Sequence, residues 1–330
     1  MSYPTRKIGD ADISAIGFGA MGISAFYGPV EPDEERFKVL DAALQYGCNF
    51  WDTANMYGDS EELIGKWFKR TGKRDKIFLA TKFGVESSKP NYADGTPENA
   101  RACLKRSLER LGVETIDLYY LHRPDPTVPI EETVGAMAEF VKAGKVKYLG
   151  LSECSAATLR RAPFTLDIED PKINILETAR ELGIKVVAYS PLGRGLLTGK
   201  YESPDDFAED DYRWVVPRFS KENFPDVLKL VDKLKEIGLR HNATAGQATL
   251  AWLLAQGEDI IPILGTKKIE ASIPPSYLRE NLDAVKVHLS TQEVGEIRES
   301  VGRADLAIGG RYPEELLKTM YADTPELKRE

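Results

Sequence analysis

Residues 13–32 read ISAIGFGAMGISAFYGPVEP, and the residues after the first strand of this stretch decide between two α/β folds. Ile13–Gly19 predicts a strand, and Gly17–Gly22 matches G-x-G-x-x-G. In a Rossmann unit that fingerprint opens a helix at once, so that the helix N-terminus meets a pyrophosphate. Here Gly28, Pro29 and Pro32 intervene before any helical pattern begins. The required context fails. A second near-motif, Gly193 to Gly199-Lys200, has one residue too many for a P-loop and Tyr201 where Ser or Thr is needed, and reads as chance.

Outward from this stretch, short apolar runs alternate with capped, periodic helices. Strands are predicted at Cys48–Asp52 (CNFWD), Ile77–Lys82 (IFLATK), Ile116–His122 (IDLYYLH), Lys147–Ser152 (KYLGLS), Ile184–Ser190 (IKVVAYS) and Asp259–Leu264 (DIIPIL). Between them lie a helix over Glu35–Gln45 and one that Ser60 caps, with Leu63, Ile64, Trp67 and Phe68 on one face and Gly72 as its stop. Thr96-Pro97-Glu98 supplies an N-cap, a first-turn proline and an acid at the positive end of the next helix dipole, and Gly112 ends it. Val134, Met137 and Val141 line a further helix, and Thr244 with Gln247 has the spacing of a capping box. Such sustained alternation implies parallel strands with helical crossovers. With no low-complexity linker, residues 1–330 are expected to be one domain with a C-terminal tail.

Asp52, Lys82, His122 and Ser152 each close a successive strand, which is how the active face of a barrel is built. Each alone reads as a turn residue; four in equivalent positions do not. Tyr57, five residues after Asp52, falls on the loop above the same face. A phenol is a poor acid at neutral pH, and a nearby lysine ammonium is expected to lower its pKa. With Asp52 orienting Lys82 and His122 bonding a carbonyl oxygen, the set suits protonation of a developing alkoxide.

Composition narrows the rest. Lys and Arg number 44 against 52 Asp and Glu, a formal charge of −8, which argues against a nucleic-acid or anionic-membrane partner. Apolar runs fall far short of a membrane span, and no secretory signal is legible at the N-terminus. Cys48, Cys103 and Cys154 are few and scattered, and His122, His241 and His288 lack ligand spacing, so a reducing, cytoplasmic location without a metal is expected.

The stretches GFGAMG, NFWDTANMYGDSEELIG, FLATKFG, DLYYLHRPD, GLSECS, AYSPLGRG and GTKK resemble the aldo-keto reductases in order and over nearly the whole length. The resemblance implies a (β/α)8 TIM-type barrel that moves hydride from NADPH to a small-molecule aldehyde or ketone. It makes Asp52, Tyr57, Lys82 and His122 a catalytic tetrad, Tyr57 being the proton donor, with Tyr57 and His122 facing substrate. It places Gly19, Met21, Asp52, Ser152 and Glu153 around the cofactor, with Ser152 on the nicotinamide amide and Tyr189 stacked on its ring. Ser190, Leu192, Arg194 and Gly195 would hold the pyrophosphate. Thr266, Lys267 and Lys268 would take the ribose 2′-phosphate, with Glu280 and Asn281 near the adenine. Phe26, Tyr27, Arg123, Trp214 and the Met320-Tyr321 region are expected at an apolar mouth.

Two departures from the family stand out. The count gives seven strands, and the sixth of a full barrel is missing or replaced. Arg160-Arg161-Ala162 runs directly into Pro163–Ile168, and no glutamine occurs between Ser152 and Gln247. In the family that strand carries a glutamine for the nicotinamide amide. Phe164–Ile168 (FTLDI) is the one local substitute, and Glu270–Ser276 (EASIPPS) reads as an insertion after Lys268. A splice or gene-model variant and a diverged paralogue both fit. The leading expectation is an NADPH-dependent carbonyl reductase in detoxification or secondary metabolism; the alternative is an impaired barrel acting at most as a binding or regulatory partner. Oligomeric state is not legible.

Overall fold

The computed structural model describes residues 3–161, 175–209, 211–266, 277–307, 312–317 and 320–327. The strands are β1 (Thr5–Ile8), β2 (Ala11–Ser14), β3 (Gly17–Gly19), β4 (Phe50–Asp52), β5 (Phe78–Phe83), β6 (Ile116–Leu121), β7 (Val146–Leu151), β8 (Val186–Ala188) and β9 (Ile260–Leu264). The last seven form one parallel sheet in the order β7-β6-β5-β4-β3-β9-β8. The final strand, β9, pairs with β3, so the sheet curls back on its own beginning. This is the α/β barrel of the (β/α)8 type that the resemblance implied, built from the parallel strands that the alternation implied. Among the described residues its edges are β7 and β8, the place where the sixth barrel strand was expected to be missing or replaced. Phe164–Ile168, proposed as the substitute, lies outside the described residues, as does Glu270–Ser276.

Three readings of local structure need correcting. Ile13–Gly19 is not one strand. Its first part, β2, pairs antiparallel with β1 in a hairpin, and only β3 joins the sheet. Asn49, just before β4, ties down this hairpin, its side-chain oxygen accepting from Ser14 N at 2.6 Å. Ser60 does not cap its helix. Asp59 holds the N-cap position of Ser60–Thr71, and the Ser60 hydroxyl lies 2.7 Å from that of Thr53. Val141 does not face inward: the helix Ile130–Lys142 buries Ile130, Thr133, Ala136, Met137 and Phe140 and leaves Val141 exposed.

Other caps follow their chemistry. The Thr96 side chain accepts from Asn99 N at the start of the helix Pro97–Leu111, and Gly112 ends it in the left-handed region at φ 62°. Gly72 does the same for Ser60–Thr71 at φ 67°. Thr244 and Gln247 form a reciprocal capping box on Ala245–Ala255. The main core lies between the sheet and these helices, anchored by Trp51 and Trp67, both fully buried with ring centroids 4.7 Å apart. A second apolar cluster, around Phe207, Phe219 and Phe224, packs under the helix Phe224–Arg240. The chain's tail returns to β7's side, where Thr158 Oγ1 donates to Ala322 O at 3.3 Å and accepts from Thr324 N at 3.2 Å.

Candidate active site

Parallel register puts the polar residues on one rim. Asp52, the last residue of β4, stands opposite Gly19 of β3 and Ala80 of β5. Lys82 in β5 stands opposite Tyr120 of β6. His122 and Ser152 are the first residues past β6 and β7, and their backbone N–H groups continue the ladder to Phe83 O and Leu121 O at 2.7 and 2.9 Å. Tyr57 is delivered by the loop after β4, whose Asn55 N donates to Lys82 O at 3.0 Å. All strand crossovers being parallel, these are C-terminal strand ends, where a barrel has room for a site.

The four side chains meet. Lys82 Nζ donates to Asp52 Oδ1 and, at 2.8 Å, to Thr53 O. The same ammonium lies 5.2 Å from the Tyr57 ring centroid and 5.4 Å from that of Tyr120. Tyr57 OH is 3.4 Å from His122 Nε2, the rings meeting edge-to-face at 5.6 Å. Asp52, Lys82 and His122 are buried and Tyr57 is half-buried. Phe26, an exposed residue in the left-handed region at φ 69°, sets its ring edge-on to Tyr57 at 6.5 Å.

Burial dominates the electrostatics. It pushes His122 well below its ordinary pKa, with Arg123 and Lys82 adding to the shift, so the imidazole is neutral at pH 7. For Lys82, burial works against the charge, but Asp52 and Tyr57 outweigh it and the ammonium is held. Burial also raises Asp52 against the pull of Lys82. The Tyr57 phenol is raised by burial, Lys82 opposing and Asp52 reinforcing. Lys82 pulls the phenol's pKa down as expected, but burial outweighs it and the net shift is upward. The arrangement is a neutral phenol beside a neutral imidazole, over a buried ammonium–carboxylate pair. It can hand a proton to an oxyanion and donate a second hydrogen bond to the same oxygen.

Of the residues assigned to a cofactor, Gly19 and Ser152 stand on this rim. Glu153, fully buried and at φ 57°, accepts a hydrogen bond from the Tyr189 hydroxyl. Ser190, Gly193, Arg194 and Gly195 all have positive φ, and the loop closes through Gly193 N to Ser190 O at 2.9 Å and Gly195 N to Leu192 O at 3.0 Å. Backbones of this kind make concave anion sites. The Arg194 guanidinium lies over Tyr312 at 4.6 Å and Tyr212 at 5.2 Å, and its Nη1 is buried without a hydrogen-bond partner among the described residues. These features fit a pyrophosphate. Thr266 is buried just beyond β9, and Met21 opens the short helix Met21–Ser24. Glu280 accepts from Thr244 Oγ1 at 2.7 Å, and Asn281 is buried beside it. Lys267 and Lys268 lie outside the described residues. Trp214 packs edge-on to Phe207 in the second cluster, its indole N–H donating to Ala208 O at 2.8 Å. Sequence patterns did not point to Thr53 or Tyr120. The first contributes only a carbonyl, which no side-chain pattern signals, and the second hides in an apolar strand.

The aldo/keto reductase family model matches residues 15–301. The chain belongs to the aldo-keto reductase family. Aldo-keto reductase str7 of Strobilurus tenacellus is 57% identical over 346 residues, covering 99% of each chain. Aldo-keto reductase yakc [NADP(+)] of Schizosaccharomyces pombe is 48% identical over 348 residues and 100% of both. Both alignments run over more positions than the 330 residues present, so each of these aldo-keto reductases has residues with no counterpart here. Among solved structures, the glycerol dehydrogenase of Gluconobacter oxydans is similar at a TM-score of 0.78 and 30% identity, over 92% of this chain and 97% of that one. A thermostable aldo-keto reductase in complex with epalrestat matches at 0.70 and 30%, over 91% and 100%.

Proposed function

We propose that the chain is an NADPH-dependent reductase of an aldehyde or ketone, with Tyr57 as the proton donor. The observation that carries this reading is the buried Lys82–Asp52 pair beneath the Tyr57 ring, with the Tyr57 hydroxyl 3.4 Å from His122 Nε2. A carbonyl oxygen placed between Tyr57 and His122 would receive two hydrogen bonds as its charge grows. The phenol, kept protonated by burial, then gives up its proton, and Lys82 stabilises the phenolate left behind. Bound NADPH supplies the hydride.

The family's use of NADP(H) and the relative named for NADP(+) support this choice of cofactor. Ser152, Glu153 and Tyr189 would flank the nicotinamide and Ser190–Gly195 the pyrophosphate. Lys267 and Lys268 would provide charge-assisted contacts to the 2′-phosphate. We place the protein in the cytoplasm, acting on a small carbonyl compound in detoxification or secondary metabolism, without a nucleic-acid or membrane partner. Among the described residues no helix is long and apolar enough to cross a membrane. The test is incubation with NADPH and a panel of aromatic aldehydes, followed at the cofactor's absorbance. Aldehyde-dependent oxidation is expected, and its absence across the panel sinks the reading.

A second reading, a barrel of impaired activity that acts at most as a binding or regulatory partner, is favoured by two observations. Relatives carry residues that this chain lacks, and the sheet ends at β7 and β8 among the described residues. Slow turnover in the same assay, with NADPH bound poorly or not at all, would support it.

A further inference from the structure

Behind the sheet, on the side away from the barrel interior, a buried carboxylate reaches both halves of the proton-donating group. Glu61 is the second residue of the helix Ser60–Thr71 and is 1% exposed. Its Oε1 accepts from Thr81 Oγ1 at 2.7 Å. Thr81 precedes Lys82 in β5, and because side chains alternate along a strand, Thr81 points to the helices while Lys82 points inward. The other oxygen, Oε2, lies 3.5 Å from Arg110 Nη1, near the end of the helix Pro97–Leu111. That same Nη1 donates to Asn55 O at 3.3 Å, two residues before Tyr57. Asn55 is fixed again by its N–H on Lys82 O at 3.0 Å and by its side-chain amide, which donates to Cys103 Sγ at 3.5 Å.

We propose that Glu61, acting through Thr81 and Arg110, is a positioning residue for proton transfer: one carboxylate ties the strand that bears Lys82 to the loop that bears Tyr57. The inference rests on the reading of Tyr57 as the acid. Packing alone would be better served by an apolar residue, since a buried carboxylate is tolerated only when its oxygens are occupied. Burial raises the Glu61 pKa, and Thr81 and Arg110 are among the groups that oppose the rise. Both partners are attached to backbone adjoining the tetrad. Small displacements of reacting groups are costly to rate, so loosening either tie should act on turnover more than on ground-state binding.

The experiment uses the full chain and four variants, Thr81→Ser being the conservative control: Thr81→Val removes the tie to β5, Arg110→Met removes the tie to the loop, and Glu61→Gln keeps an acceptor for Thr81 but discharges the pairing with Arg110. Turnover of an aromatic aldehyde, its KM and the NADPH Kd from quenching of intrinsic fluorescence are measured well below each melting temperature. Thr81→Val and Arg110→Met are expected to lower kcat roughly tenfold or more, with KM and Kd within about twofold of the parent. Thr81→Ser, which keeps the hydroxyl, should restore kcat. Variants that melt earlier yet keep the parent kcat would make Glu61 a structural residue only and overturn the inference. So would a Kd that weakens in step with kcat. A parent that oxidises no NADPH overturns the functional reading itself, whereas an active parent with equally active variants overturns only the role of Glu61.

Discussion

On the proposed function Tyr57 is the proton donor, and its surroundings set what can be measured. Tyr57→Phe removes the proton and leaves the ring, so carbonyl reduction should fall by ~10²–10⁴-fold while NADPH Kd is unchanged. More than half the parent turnover, where chemistry limits the rate, would show that another group is the acid. His122, driven below its ordinary value by burial, is deprotonated throughout the neutral range. The sign is that of a cation disfavoured on folding: the neutral form prevails at every pH above the depressed pKa. Reductase activity should therefore show no limb near the ordinary histidine value of about 6.5. A limb there that His122→Asn abolishes contradicts this. Lys267→Ala should erode discrimination of NADPH from NADH, a charge-assisted contact being worth ~1.5–3 kcal/mol; equal cofactor preference in variant and parent rules the lysine out. Asp52, Lys82 and His122 were legible because each is a polar residue at the end of an apolar strand. Glu61 left a fainter trace, an acid sharing a helical face with Ile64 and Phe68, and its partner Arg110 left none, because the contact joins two helices.

At the scale of elements, the sequence was most readable where local chemistry decides. Thr96, Gly112 and the Thr244–Gln247 box each terminate a helix by satisfying or redirecting its own backbone. It was least readable where tertiary pairing decides. Ile13–Gly19 is apolar nearly throughout, so nothing in its pattern marks the break at Ala15-Ile16 between hairpin and barrel strand. Thr5–Ile8 is short and mostly polar, and becomes a strand only because β2 pairs with it. Close approach inside the sheet was equally hidden. Gly150 of β7 stands opposite Tyr120, and a Cβ added there would meet Tyr120 Cδ1 at 2.3 Å. Since the Tyr120 ring lies 5.4 Å from Lys82 Nζ, a methyl group at position 150 pushes on the site through one side chain. Gly150→Ala should cost about 1–3 kcal/mol of stability by overpacking and lower turnover with it. Urea unfolding measures the first; an unchanged midpoint would show that Tyr120 yields without strain.

For the molecule as a whole, what matters is closure of the barrel. Seven parallel strands run from β7 to β8, and β9 already joins β3, so the ring lacks contact at one seam among the described residues. Relatives that align over the whole chain carry residues it does not have. The resemblance to the family puts the expected loss after Ala162, at the place of a glutamine-bearing strand, and no glutamine occurs between Ser152 and Gln247. A parallel strand pairs with both neighbours, so losing one exposes backbone groups on two edges, and these cost free energy wherever water cannot reach them. The seam adjoins the cofactor's expected place: Ser152 and Glu153 follow β7, and Tyr189 follows β8, with the Tyr189–Glu153 hydrogen bond spanning between them. That bond links the two edges by side chains and supplies no amide partner for a nicotinamide. Hydride transfer needs the ring held at near-attack distance, so turnover should be limited here rather than at Tyr57. Inserting a family-like strand with its glutamine between Ala162 and Pro163 should raise both the unfolding midpoint and the rate of NADPH turnover. The same insertion with alanine in place of that glutamine should recover stability without the full rate, separating closure from anchoring. If the unmodified chain already matches the repaired one in both measurements, the seam is closed by the chain's own residues and the tetrad alone sets its activity.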